Sequence, residues 1–366
     1  MRQVGKTTLL KKFSSKYLSF DDPQTAYDFD RGSESLLQKS RHTLAIDEIQ
    51  KHPPAFDVLK LNIDELKKPG RFLVSGSVRF ASRKLIRESL TGRIVLIEIH
   101  PFTLAECHAK NESTFLKTLL TDLQKNTMAT LGNKAWVSTN QLSHYMRTGG
   151  MPGICFRRDE SIQVRLFQTH LDTLLGRDIH LVKETSLSPQ KLLVLLRTIA
   201  KNQGAKISLA NYARLIGISQ PTLKSIFLAL EALFLIKPFG HTYFIEDAGL
   251  SHFLCPQNPS LGLWDRIRLL YYHFRVQMIV DFPSQIAITP YASRGGLFVP
   301  FLVEYNTQKK LAIFVEETDT PSNKNLISAT LIKKKFPEIT PVILFDGESA
   351  FVSAKGVLCL PWCWAF

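Results

Sequence analysis

The chain opens on Arg2-Gln3-Val4-Gly5-Lys6-Thr7-Thr8, and an apolar segment further on, Thr43-Leu44-Ala45-Ile46, delivers Asp47-Glu48 at its end. These two pieces constrain the fold more than anything else in the sequence. Gly5-Lys6-Thr7 is the back half of the pattern G-x-x-x-x-G-K-[ST]. In that pattern backbone N–H groups cradle phosphates, the lysine reaches them as a cation and the hydroxyl binds Mg²⁺. An Asp-Glu pair at the end of a neighbouring strand supplies the rest of the chemistry. The first carboxylate holds Mg²⁺ through water, and the second polarises an attacking water. On this reading Val4, Gly5, Lys6, Thr7 and Thr8 bind the phosphates of ATP, Thr7 and Asp47 hold Mg²⁺, and Glu48 is catalytic. The first glycine of the pattern, and the strand that should lead into it, would lie ahead of Met1.

The order of elements agrees with such a site. Gly5 to about Lys16 reads as a helix and Tyr17-Leu18-Ser19-Phe20 as a short strand. A helix through Glu34–Gln38 precedes the strand ending at Asp47, and a helix over about 55–67 leads through Pro69-Gly70 to a third strand, Phe72–Ser75. A fourth strand is expected over Ile94–Ile99, stopped by Pro101. Alternation of buried-looking apolar strands with helices argues a parallel α/β sheet of the P-loop NTPase type, lacking its first strand, over residues 1–105. Residues 106–200 are mostly of helical period, broken at Gly149-Gly150-Met151-Pro152-Gly153, and read as a linker or lid. Within 201–245, helices over Ile207–Ile216 and Gln220–Leu235 flank the turn Gly217-Ile218-Ser219, with Ser219 as N-cap and Pro221 in the first turn. That is helix-turn-helix spacing, and the module reads as winged-helix-like. Residues 246–366 read as α+β, with a helix over 263–280 and strands at 286–290, 298–304, 311–316 and 341–345.

Three further residues are candidates around the phosphates. Ser77, in Ser75-Gly76-Ser77 at the tip of the third strand, either contacts the terminal phosphate or its water, or serves only to turn the chain. Arg93, and further on Arg177, are candidates for the cation that stabilises developing charge, against the alternative of a solvated surface arginine.

The ordered set Arg2–Leu10, Asp21-Asp22-Pro23, Ile46–Gln50, Ser75-Gly76-Ser77 and Leu90-Thr91-Gly92-Arg93 resembles the prokaryotic AAA-type ATPases that carry a C-terminal domain of unknown function, number 4143. Pro101–Glu106 is similar to the element closing their ATPase core, and Gly149–Pro152 with Arg177-Asp178-Ile179 to the start of their accessory region. The resemblance covers nearly the whole chain and implies an ATP- and Mg²⁺-dependent enzyme. Two departures qualify it. Members begin with a strand and Gly-Pro, and by analogy that strand lies centrally, between those ending at Ser75 and near Ile99. Its loss would leave two unpaired edges, so the resemblance implies a start codon further upstream or a decayed gene. The C-terminal segment is implied to be PD-(D/E)XK nuclease-like. Here, however, Pro300 stands at the expected metal-binding Asp, with Phe314 and Glu316 at the expected Glu and Lys. Nuclease chemistry needs two carboxylates and a cation on one face, so the segment is expected to be a degenerate, non-catalytic scaffold. A shifted site from Glu304, Glu316 and Glu317 is the alternative.

Composition sets the outer bounds. With 46 basic against 32 acidic residues the net charge is +14, which suits a polyanionic partner, nucleotide or nucleic acid. Lys201, Lys206, Arg214, Lys224 and Lys237 make the 201–245 module a candidate for DNA, with Gln220, Thr222 and Lys224 left to read bases. The second functional reading is therefore a DNA-binding or regulatory module with a vestigial ATPase, and a third is a non-functional remnant. No apolar run reaches the length of a membrane helix and no signal peptide opens the chain. The five scattered cysteines fit a cytoplasmic protein, Cys359 and Cys363 reading as small hydrophobes.

Overall fold

A computed structural model of the chain describes residues 2–38, 43–78, 92–111, 113–121, 131, 136–256, 262–282, 285–293, 295–306 and 309–366. Near the N-terminus, strands β1 (Lys16–Ser19), β2 (Leu44–Asp47) and β3 (Phe72–Val74) form a parallel sheet in the order β1-β2-β3. All four residues of β2 are buried, as expected of the middle strand of a sheet covered on both faces. Its core gathers Phe20, Phe29, Leu37, Leu44, Ile46, Ile49, Phe56 and Leu59, mostly from the helices Pro23–Gln38 and Ala55–Glu65 and the turns beside them. Helix α1 (Lys6–Phe13) runs from the phosphate-loop sequence up to β1.

The expected fourth strand does not form. Residues 94–99 join no ladder, and Val95, Leu96 and Ile97 are 86%, 54% and 76% exposed. An apolar run has strand propensity, but it becomes a strand only when its N–H and C=O groups find a neighbour. Among the described residues β3 pairs with β2 alone. Thr91 and residues 79–90 lie outside the described residues.

The middle of the chain builds a helical core. The helices Glu160–Thr173, Pro189–Lys201, Leu209–Ile216 and Gln220–Ala232 bury, among others, Leu171, Leu192, Leu196, Ile216, Ile226 and Leu230 together. Gly217 closes the third of these at φ +75, and the Ser219 hydroxyl accepts from Thr222 N–H to open the fourth. A hairpin of β4 (Ile236–Phe239) and β5 (Thr242–Ile245) follows directly.

The C-terminal sheet has six strands, β6 (Ile286–Ala292), β7 (Phe298–Tyr305), β8 (Lys309–Val315), β9 (Ile339–Phe345), β10 (Phe351–Val352) and β11 (Leu358–Pro361), ordered β10-β11-β9-β8-β7-β6. β8, β9 and β11 are mutually parallel, and β6, β7 and β10 pair antiparallel. Helix Leu263–Asp281 covers one face, with Ile267, Leu270 and Phe274 against Phe301, Ile313 and Leu344. Helix Asn323–Lys335 covers the other, with Ala329 and Ile332 among Ala312, Phe314 and Ile343. The pairing of β7 with β6 slips by one residue, from Tyr291↔Val299 to Thr289↔Leu302. The slip falls where Pro290 on β6 faces Pro300 and Phe301 on β7, and neither proline can donate to a ladder. It turns Val299 and Phe301 to opposite faces of the sheet.

The 106–200 stretch serves two cores. Phe115, Leu119, Leu142 and Tyr145 pack with the C-terminal sheet, whereas Met151, Ile154, Phe167, Leu171 and Leu174 join the helical core. The change falls at Gly149-Gly150. There Phe102 N–H donates to Gly150 O (2.7 Å) and Gly150 N–H to Asp247 (2.9 Å), while Tyr145 donates its hydroxyl to Phe102 O (2.7 Å). A Cβ on Gly150 would collide with the Phe102 carbonyl, so the break in helical period is a close backbone contact.

Candidate nucleotide site

Four segments meet at the carboxyl ends of the N-terminal strands. The phosphate-loop sequence supplies Gln3 and Gly5, both at positive φ (59° and 86°), and Gly5 precedes the first turn of α1. Alternating left-handed residues turn successive N–H groups to one side, the geometry of an anion-binding nest. A Cβ on Gly5 would meet nothing within 4 Å, so glycine is needed there for its φ and not for space.

Asp47, at the end of β2, is buried and is the centre of the site. It accepts from the Thr7 hydroxyl (2.6 Å), the Tyr17 hydroxyl (2.9 Å), the Ser75 hydroxyl and the Glu48 N–H (3.0 Å). Burial by itself raises the Asp47 pKa, but those hydrogen bonds outweigh it and hold the carboxyl below its ordinary value. Tyr17 is shifted the other way, by burial and by its bond to Asp47, and stays a donor. The donor set fits a magnesium ion. A threonine hydroxyl that gives its hydrogen to a carboxylate keeps its oxygen lone pairs for a hard cation, and carboxylate and hydroxyl oxygens are the ligands Mg²⁺ prefers.

Lys6 begins the helix half-buried beside this pair. Burial pulls its pKa down, Glu48 and Asp47 pull it up, Arg2 pulls it down again, and the net shift is downward. Glu48 sits at φ 52°, ahead of a short 3₁₀ turn. Its carboxylate accepts from the Gln50 amide and from Ser77 (3.3 Å), and Gln50 also donates to Ser77 (3.2 Å). Ser77 is fully buried. The structure thus brings Lys6, Thr7, Asp47, Glu48 and Ser77 together, with Val4 and Gly5 in the loop beside them, Val4 buried. Thr8 is exposed on α1.

Arg93 stands apart from this cluster. Its guanidinium holds Asp64 through two bonds of 2.7 and 3.0 Å. Asp64 lies in the last turn of helix Ala55–Glu65, where Arg71, just ahead of β3, also bonds the carbonyls of Asn62 and Leu66. That is the end of the sheet away from Asp47. A surface carboxylate within reach captures the arginine, and no sequence spacing announces it. Arg177 instead lies against Asp178 (3.1 Å), which also holds Arg2. Tyr17, Ser75 and Gln50 were not assigned to the site from sequence. Only Ser75 carried a signal, at the tip of the third strand.

The carboxylates of the C-terminal sheet are used otherwise. Glu316 accepts from Ser322 N–H (2.7 Å), Ser322 hydroxyl (2.8 Å) and Thr318 hydroxyl (3.0 Å). Glu317 accepts from Leu263 N–H at the start of another helix (2.9 Å), and Glu304 pairs across the ladder with Lys310 (3.0 Å). The three do not converge. Among the described residues no group of three His, Cys, Asp or Glu side chains is placed to hold a metal, and no helix is long and apolar enough to cross a membrane.

Residues 1–108 match the AAA domain family, and residues 139–243 match a domain of unknown function, DUF8612, not the number 4143 that the sequence resemblance named. The chain is 22% identical to the uncharacterized proteins Rv2008c of Mycobacterium tuberculosis and Mb2031c of Mycobacterium bovis, over 98% of its own length and 78% of theirs. Among solved structures it is similar to the Walker-type ATPase of Pyrococcus abyssi, at 16% identity and a TM-score of 0.37, over 69% of this chain and 89% of that one. The AAA-domain match and the Thr7–Asp47 contact fall in the same stretch of chain, and together they support an AAA-type P-loop ATPase domain at its N-terminal end.

Proposed function

We propose that residues 1–78 bind ATP with Mg²⁺ and that the chain hydrolyses it. Lys6 and the loop amides neutralise phosphate charge, Thr7 and Asp47 hold the ion, and Glu48, oriented by Gln50 and Ser77, accepts the proton of the attacking water. The bound ion would supply charge neutralisation at the phosphates; the protein's part is to keep Asp47 ionised and Glu48 aimed. The observation that carries this reading is the 2.6 Å bond between Thr7 and Asp47, which joins the start of α1 to the end of β2. Calorimetric titration of the full chain with Mg-ATP tests it. Saturable binding is expected, weakened by about 100-fold or more in Lys6→Ala. Equal affinity in the two proteins would refute it.

A second reading rests on the helix-turn-helix. Gln220, Thr222 and Lys224 stand exposed on the first turns of helix Gln220–Ala232, with Lys206 and Arg214 exposed nearby, while Leu223, Ile226 and Phe227 are buried. This arrangement, followed by a hairpin, suits contact of a winged-helix module with duplex DNA. Binding that weakens steeply with salt, and less so in Lys224→Ala, is expected. Salt-independent or absent binding would refute it.

A further inference from the structure

The phosphate-binding loop is attached to the helical core at two points. Val4 is buried in the same cluster as Leu174, Leu175 and Ile179. Next to it Arg2 donates through two guanidinium nitrogens to Asp178, across 176 residues of sequence. Asp178 ends a π-helical turn, Leu174–Asp178, inserted between helices Glu160–Thr173 and Ile179–Val182. Such a turn shifts the side chains after it around the axis, and here Asp178 is fully buried while its neighbour Arg177 is 59% exposed.

A buried carboxylate needs a counter-charge close by. Arg177 touches it but is largely in water, so most of the compensation comes from Arg2, which is 23% exposed. His170 lies in the same neighbourhood. It is buried, its Nε2 has no hydrogen-bond partner among the described residues, and burial together with Arg2 holds its pKa down to about 4. It is therefore neutral and does not compete with Arg2 for the carboxylate. Between the two attachment points Gln3 is held at φ 59°, a conformation that persists in a non-glycine residue only where its surroundings over-determine it.

We propose that Asp178 is a positioning residue for the phosphate-binding loop, fixing it through Arg2. It touches no nucleotide itself. The inference adds to the nucleotide reading a dependence of the loop on the helical region, and its consequence for affinity rests on that reading. The test uses the full chain with Asp178→Asn and Arg2→Met, singly and combined, and two measurements. In nucleotide-free protein, hydrogen exchange of the amides of residues 4–9 is expected to rise about tenfold in each single variant, with exchange over 189–232 unchanged. Mg-ATP affinity is expected to fall about tenfold in each, and the double variant to be no worse than Asp178→Asn alone, since both changes remove one contact. Asp178→Asn removes the buried charge itself, so it reports even where Arg2→Met, which leaves Asp178 only the largely solvated Arg177, does not fold. Unchanged loop exchange in either folded single variant, or additive effects in the double variant, would overturn the proposal. If the loop loosens as expected while the parent chain binds no Mg-ATP, the positioning role stands and the nucleotide reading falls.

Discussion

The three-stranded N-terminal sheet and the six-stranded C-terminal sheet both end strands in acidic residues, yet they dispose of those side chains differently. In the first, Asp47 and Glu48 leave β2 into a site where hydroxyls, an amide and Lys6 converge on them. In the second, Glu316 and Glu317 leave β8 in the same way but are taken up separately, by the starts of two different helices. A carboxylate at a strand end carries no chemistry of its own. The elements that arrive around it decide whether it serves a ligand or a fold. The helix cap needs only the N–H groups that every helix start exposes, whereas the site needs Thr7, Tyr17 and Ser75 from three separate elements.

The largest effect that separates the sheets should be on stability. Phe301 is fully buried between Phe274 and Phe239, ring centroids 5.2 and 6.0 Å away. Phe301→Ala is expected to cost about 3–5 kcal/mol in a urea melt while leaving Mg-ATP affinity of the remaining folded protein unchanged. Affinity falling with it would show that the two sheets do not act separately.

Next comes acid sensitivity, which is concentrated where the parts meet. Glu246 is bonded to Arg275 (3.0 Å) and lies 3.4 Å from His100. Burial opposes its ionisation, but the Arg275 guanidinium and the hydrogen bond with His100 prevail and bring its pKa down to about 2, from 4.5. A depressed carboxyl pKa contributes stability above 4.5 that is lost as the pH falls toward 2. His170 and His273 are held at about 4, chiefly by burial. His273 is also fixed as neutral by its bonds, accepting from Leu104 N–H and donating to Leu269 O. These histidines remain uncharged in the fold while the unfolded chain takes up protons below about 6.5, so they lower stability as the pH drops from 6.5 to 4. Stability measured at pH 7, 5 and 3 should fall at each step. Glu246→Gln should lose about 3 kcal/mol at pH 7 and flatten the last step. A pH-independent profile would contradict this assignment.

Smaller changes sharpen the contrast between the acidic residues. Glu316→Gln should cost about 1–3 kcal/mol, from weakened bonds at the start of helix Asn323–Lys335, with no effect on nucleotide binding. A matching loss of nucleotide affinity would mean that the C-terminal sheet contributes to the site. Arg93→Ala should leave stability nearly unchanged, since an exposed ion pair contributes little, and leave ATP turnover within about twofold of the parent. A large loss of turnover would return Arg93 to the catalytic set, supplied from a second copy of the chain.

Much of this arrangement was legible in the residues. Short apolar strands ending at Asp47 and Ser75, and the Gly5-Lys6-Thr7 helix start, are local signals that the fold keeps within a residue or two. The four long C-terminal strands were also readable, because their apolar runs are bounded by polar turns. What stayed hidden depends on pairing across the chain. Val95-Leu96-Ile97 reads as a strand but joins no ladder, since strand formation needs a neighbour that propensity does not reveal. Tyr17 and Asp178 entered no sequence pattern of the site, although each bonds to a residue that did or that precedes one. Gly150 announced a break, and only the Phe102 carbonyl lying against it explains why.

The most direct test of the whole account is the magnesium dependence of ATP affinity in the intact chain. If Thr7 and Asp47 hold the ion, ATP should bind at least about tenfold more tightly with Mg²⁺ than with EDTA in the parent protein. Asp47→Asn, at unchanged melting temperature, should bind ATP equally with and without the ion. Tighter binding with Mg²⁺ in both proteins, or in neither, would contradict the assignment.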